Sequence, residues 1–136
     1  MKILAPVRYP ITENSKQTLR RALEIREENQ KRDESTELLI LHVNLFQDSK
    51  DVTREKLRKE VFDKMGEIDA TYLVREGFLI EEAILEEAAR NKVDLIVLGK
   101  TRAGRLRRSM RRLIGNDPNI ENYLRERLDT DLEVVG

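Results

Sequence analysis

Short apolar runs alternate with stretches of helical periodicity along the chain, and this alternation restricts the fold more than any other feature of the sequence. Residues 3–7 (ILAPV), 38–43 (LLILHV) and 93–98 (VDLIVL) are nearly unbroken apolar runs. Such runs suit strands covered on both faces in the middle of a parallel sheet. The more mixed runs 70–75 (ATYLVR) and 131–135 (DLEVV) read as edge strands. Helical spacing fills the intervals. At 14–32 Leu19, Ala22 and Leu23 share a face behind the capping candidates Asn14 and Ser15. At 52–66 the apolar positions are Leu57, Val61 and Met65; at 79–91 they are Ile80, Ala83, Ile84 and Ala88. A fourth helix is expected from Asp117-Pro118, an N-cap with proline at the first helical position, through Ile120, Tyr123, Leu124 and Leu128.

The order βαβαβαβαβ predicts an α/β fold, a doubly wound parallel sheet with right-handed crossovers and helices on both faces. With the three most apolar runs in the centre, the five strands take the order 3-2-1-4-5. The winding then reverses between strands 1 and 4, and sheets of this kind bind ligands beyond the strand carboxyl ends at the reversal. Val7, Arg8 and Tyr9 are expected on one side of that crevice, and Gly99, Lys100 and Thr101 on the other.

At 136 residues the chain has the size of one domain, expected to span 1–136. Its 26 basic and 26 acidic side chains cancel, so no overall field recommends nucleic acid or a membrane surface. The absence of cysteine excludes disulfides, thiolate catalysis and cysteine metal sites, and one histidine excludes a histidine ligand cluster. No apolar run approaches the ~20 residues of a membrane helix. The start MKILAPVRYP lacks the pattern of a signal peptide, so a cytoplasmic location is expected.

Within this neutral chain, residues 100–112 (KTRAGRLRRSMRR) carry seven basic side chains and no acidic one. Ala103, Leu106, Met110, Leu113 and Ile114 recur there at helical spacing, which predicts an amphipathic helix with its arginines outward. Three roles suit it. It is a solvated surface paired with Glu81, Glu82, Glu86 and Glu87, a phosphate-binding lid, or an anion patch of Arg102, Arg107, Arg108, Arg111 and Arg112. No aromatic residue interleaves with the arginines to stack on bases, which disfavours nucleic acid. Gly99-Lys100-Thr101 is not a P-loop, because Asp94 stands where the motif needs glycine. His42 lies in a strand beside the crevice with no serine or carboxylate next to it in sequence, so it reads as a packing residue. The helix 3 glutamates read as a solvent face, and Asp129 and Asp131 as turn residues around Thr130. No catalytic constellation or metal site emerges.

Over essentially its whole length the chain resembles the universal stress protein family. The pieces that carry the likeness are ILAPV with the following ENSKQTLRRAL, LLILHVN, and EEAILEEAARNKVDLIVLG. The resemblance implies the same five-stranded sheet, the adenine nucleotide alpha hydrolase-like arrangement, and a homodimer joined through strand 5 (131–135). It implies a stress-response or regulatory module in which some relatives bind ATP. In those relatives a glycine-rich loop after strand 4 holds the phosphates. By that resemblance the nucleotide-binding candidates are Pro6, Val7, Arg8, Val43, Leu98, Gly99, Gly104, Arg105, Gly115 and Asn116. Arg8 stands where the family has an adenine-contacting aspartate, and Asn116 where it has a hydroxyl residue. ATP or another adenine nucleotide is thus the implied ligand, with slow hydrolysis the most that could be expected of it chemically. The alternative is a dimeric interaction module that binds no nucleotide and uses helix 103–114 to contact an anionic partner.

Overall fold

The computed structural model describes residues 1–48, 50–100, 102–104, 106 and 130–136. Five strands, β1 (Lys2–Pro6), β2 (Glu37–Leu45), β3 (Thr71–Gly77), β4 (Leu95–Gly99) and β5 (Asp131–Val135), form one parallel sheet in the order β3-β2-β1-β4-β5. Three helices connect its first four strands: α1 (Glu13–Lys31), α2 (Arg54–Met65) and α3 (Ile80–Arg90). The strand order expected from the apolar runs is the one observed. The fourth helix expected from Asp117 lies outside the described residues.

Alternation along the central strands divides the core into two layers. Ile3, Ala5, Val7, Leu38, Ile40 and Val97 face α1 and α2, where they meet Leu19, Ala22, Leu57 and Val61. Leu4, Leu39, Leu41, Val43, Ile96 and Leu98 face α3, where they meet Ala83, Ile84, Leu85 and Ala88, with Ala103 and Leu106 beside them. Every residue of β1 from Ile3 to Pro6 is buried, as an unbroken apolar run in a central strand requires.

Two local expectations need correction. Helix α1 is capped neither by Asn14 nor by Ser15. Thr12 is the N-cap, its hydroxyl accepting from the Ser15 N–H at 3.1 Å, which frees Asn14 for another use. The glutamates of α3 do not all face solvent. Glu87 is only 5% exposed, tied to Arg90 at 3.2 Å, to Arg75 at 3.6 Å and to the Asn91 amide at 2.9 Å. Glu86 pairs with Arg75 at 2.6 Å. Among the described residues both carboxylates thus pair with Arg75 of β3, and Glu87 with Arg90 as well.

The opening between β1 and β4 has a chemical origin in Pro6. Val7 donates its N–H to Leu41 O of β2 at 2.8 Å, so the backbone groups of residue 6 turn the other way, towards β4. Proline has no N–H to offer there. Pairing of β1 with β2 continues to Pro6↔Leu41, whereas pairing with β4 ends at Leu4↔Ile96. Beyond that point the two strands part, at the place where the winding reverses.

Candidate functional site

A cavity of about 240 Å³ lies at this parting, lined by Pro6, Arg8, Thr12, Asn14, Ser15, Thr18, Gly99 and Arg102. Its walls are the end of β1, the first turns of α1, and the helical turn that follows β4. Among the described residues no carboxylate lines it.

The hydroxyls around the cavity are fixed by the turn that starts α1. Ser15 Oγ accepts from the Arg8 N–H at 3.0 Å, Thr12 Oγ1 accepts from the Ser15 N–H, and the two hydroxyls lie 3.1 Å apart. Two hydroxyls carry two protons, and their mutual bond uses one. Whichever way that bond points, one hydroxyl proton is left over as a donor. Ser15 is 5% exposed and Thr18 1%; Thr18 spends its own proton on Asn14 O at 3.1 Å. From the other side, the Glu60 carboxylate of α2 accepts from the Ile11 N–H at 2.6 Å and so pins the loop that carries Arg8.

Gly99 ends β4 directly beneath Asn14. A Cβ on Gly99 would lie 2.3 Å from Asn14 Nδ2 and 2.9 Å from its Cγ, closer than real contacts allow. Glycine at this position therefore lets the Asn14 amide rest on the end of the strand. The Arg8 guanidinium makes no hydrogen bond or ion pair among the described residues. Arg8 and Arg102 also line a smaller indentation on the α3 side, with Ile80, Glu81 and Ile84. The two arginines thus form the wall between the cavity and α3.

His42, on β2, borders the same region. Its Nδ1 lies 3.3 Å from Val7 O, and its ring centroid is 6.1 Å from that of Tyr9. Burial holds its pKa below the usual 6.5; the bond to the Val7 carbonyl opposes this and the nearby Arg102 charge reinforces it. The contact with the Val7 carbonyl places the proton of the neutral imidazole on Nδ1. Among the described residues no group of histidine, aspartate and glutamate side chains could hold a metal ion, and no helix is long and apolar enough to cross a membrane.

Of the sequence candidates, Pro6, Arg8, Gly99 and Arg102 come together around the one cavity. Val7 packs into the α1-side core, and Val43 and Leu98 into the α3-side core. Gly104 is exposed, with open space where a side chain would be. Lys100, Arg102, Ala103, Gly104 and Leu106 are helical. Arg105, Arg107, Arg108, Arg111, Arg112, Gly115 and Asn116 lie outside the described residues. The sequence reading missed Thr12 and Thr18 and gave Asn14 the wrong task. The run Thr12-Glu13-Asn14-Ser15 holds three residues able to cap, and only the position of the preceding loop selects among them.

No family model matches the sequence, and no curated protein matches it. Solved structures do match. A universal stress protein crystallised in complex with cAMP shares 20% identity over 100% of this chain and 97% of its own, with a TM-score of 0.55. A protein from the universal stress protein family of Burkholderia pseudomallei covers 98% of this chain and 94% of its own at 13% identity and a TM-score of 0.57. The hypothetical protein MJ0577 covers the same shares at 16% identity and a TM-score of 0.52. Sheet order, layering and these superpositions agree: the chain resembles the universal stress proteins and has their fold.

Proposed function

We propose that the chain is a regulatory module of the universal stress type that binds an adenine nucleotide in the crevice between β1 and β4, with a phosphate in the cavity below Arg8 and Arg102. The observation that carries this reading is the excess of donors around that cavity. The unpaired Arg8 guanidinium, the Asn14 amide and one surplus hydroxyl proton face a space that Arg102 also borders and that no carboxylate lines among the described residues. An anion with several acceptor oxygens suits such a set of donors, and guanidinium recognises phosphate in bidentate fashion. The α1 N-terminus adds its positive dipole end to the same space. The cAMP complex of a neighbour with this fold supports a nucleotide as the source of the phosphate. A cavity of about 240 Å³ lies below the usual ~300–1,000 Å³ of small-molecule sites, so it suits the phosphate end and leaves the base in the open part of the crevice. Acid extraction of purified protein, followed by mass spectrometry, is expected to release an adenine nucleotide. Extracts from an Arg8→Gln/Arg102→Gln double variant are expected to contain far less.

The module is further proposed to act as a homodimer paired along β5. Among the described residues that strand pairs with β4 alone, and Val134 is 36% exposed. A short strand with a free edge is a template for its own copy. Sedimentation is expected to give a dimer of the full chain, and Val134→Lys is expected to shift it towards monomer.

A further inference from the structure

All three phenylalanines of this aromatic-poor chain stand outside both cores: Phe46 is 53% exposed, Phe62 55% and Phe78 71%. Phe62 lies alone on α2. Phe46 and Phe78 do not. They directly follow Leu45 and Gly77, the last register partners of β2 and β3, so the sheet itself brings them together. Their ring centroids are 4.6 Å apart at an interplanar angle of 49°. Two hydrogen bonds hold them there, the Phe46 N–H donating to Gly77 O at 3.0 Å and the Gln47 side-chain amide to Phe78 O at 3.2 Å. Leu79, 38% exposed, extends the patch. Paired exposed rings next to an exposed leucine mark an interaction surface more than scattered apolar residues do.

The surroundings of the patch select its partner. Asp48, Asp51 and Glu76 line, together with Phe46 and a single cation, Lys50, an indentation of about 170 Å³ beside the Phe46 ring, so its charged lining is three carboxylates to one ammonium. Glu81 and Glu82 open α3 immediately after Leu79. None of these five carboxylates has an ion pair among the described residues, whereas Glu86 and Glu87, further along α3, are both paired with Arg75. An anionic rim repels phosphate-bearing surfaces. Arginine meets both demands, because its planar guanidinium stacks on an aromatic face and pairs with a carboxylate at its edge.

We propose that the surface formed by Phe46, Phe78 and Leu79 with Asp48, Asp51 and Glu76 docks an arginine-rich segment of a partner protein that carries apolar residues between its arginines. The surface uses none of the residues around the Arg8–Arg102 cavity and stands whether or not a nucleotide binds there. Fluorescence anisotropy with a labelled peptide of alternating arginine and leucine, titrated with the full chain at low salt, tests it. Micromolar binding is expected. Phe46→Ala/Phe78→Ala, and separately Asp48→Asn/Asp51→Asn/Glu76→Gln, should each weaken it at least tenfold, while Phe62→Ala leaves it unchanged. Phe46→Leu/Phe78→Leu keeps the apolar area and removes the rings, and it should lose most of the affinity in a chain whose melting temperature matches the parent. The proposal is overturned if the peptide does not bind, if the phenylalanine variants bind as tightly as the parent, or if an equally charged lysine–serine peptide binds as well.

Discussion

Gly99 and Asn14 show how a residue's reason can lie on another element. That a glycine ends strand 4 is legible from the run VDLIVLG. What the missing side chain makes room for is the Asn14 amide, which rests where a Cβ would project. Nothing in the local sequence announces this, because the two residues meet only when α1 packs on β4. Gly99→Ala should therefore destabilise the chain by roughly 1–3 kcal/mol, the usual cost of forcing a group into a filled space. Most of that loss should vanish in an Asn14→Ala background, where the colliding amide is gone. Urea unfolding of the two single variants and the double variant measures this coupling, and strictly additive losses would contradict the contact. His42 supplies a second test at the same scale. Its folded pKa lies below 6.5, so at mildly acidic pH the unfolded chain binds more protons than the folded one, and stability falls as pH drops below 6.5. With one histidine in the chain, the slope between pH 7 and the carboxylate range belongs chiefly to this residue. His42→Gln should flatten it in denaturant melts repeated across that interval.

At the scale of elements, the strands were legible because central parallel strands need unbroken apolar runs, and few other structures do. The helix faces were legible too, since Leu19, Ala22, Leu57, Val61, Ile84 and Ala88 all point to the sheet as their spacing required. Helix ends and charged faces were less so. Thr12, Asn14 and Ser15 are all good capping residues, and the loop held by Glu60 decides between them. Likewise Glu81, Glu82, Glu86 and Glu87 look equivalent in sequence, yet Arg75 on the neighbouring strand draws Glu87 inward. Thr12 joins the helix cap to the cavity, because its hydroxyl bonds Ser15, whose oxygen in turn holds the Arg8 N–H. Thr12→Ala should cost about 1–2 kcal/mol, the upper half of the range for N-cap loss. Thr12→Ser should restore most of it. If both variants melt with the parent, the cap does not tie the helix to the β1 loop.

For the molecule as a whole, the sequence led to the crevice but not to its contents. Strand order follows from which runs are most apolar, and the reversal between β1 and β4 follows from that order. Pro6 sharpens the result by withholding the N–H that would have zipped β1 to β4 further. Around this opening the chain gathers Arg8, Asn14 and Ser15 from the start of the chain and Arg102 from beyond β4, all of them hydrogen-bond donors. On the function proposed above, this opening receives the phosphate of an adenine nucleotide. Isothermal titration with AMP and with adenosine, on the parent and on Arg102→Gln, tests it most directly. A charge-assisted hydrogen bond is worth about 1.5–3 kcal/mol, so the parent should bind AMP at least tenfold more tightly than adenosine. Arg102→Gln should close most of that gap while leaving adenosine binding almost unchanged. Equal affinities for AMP and adenosine in the parent, or an AMP preference that survives Arg102→Gln and Arg8→Gln together, would contradict the account.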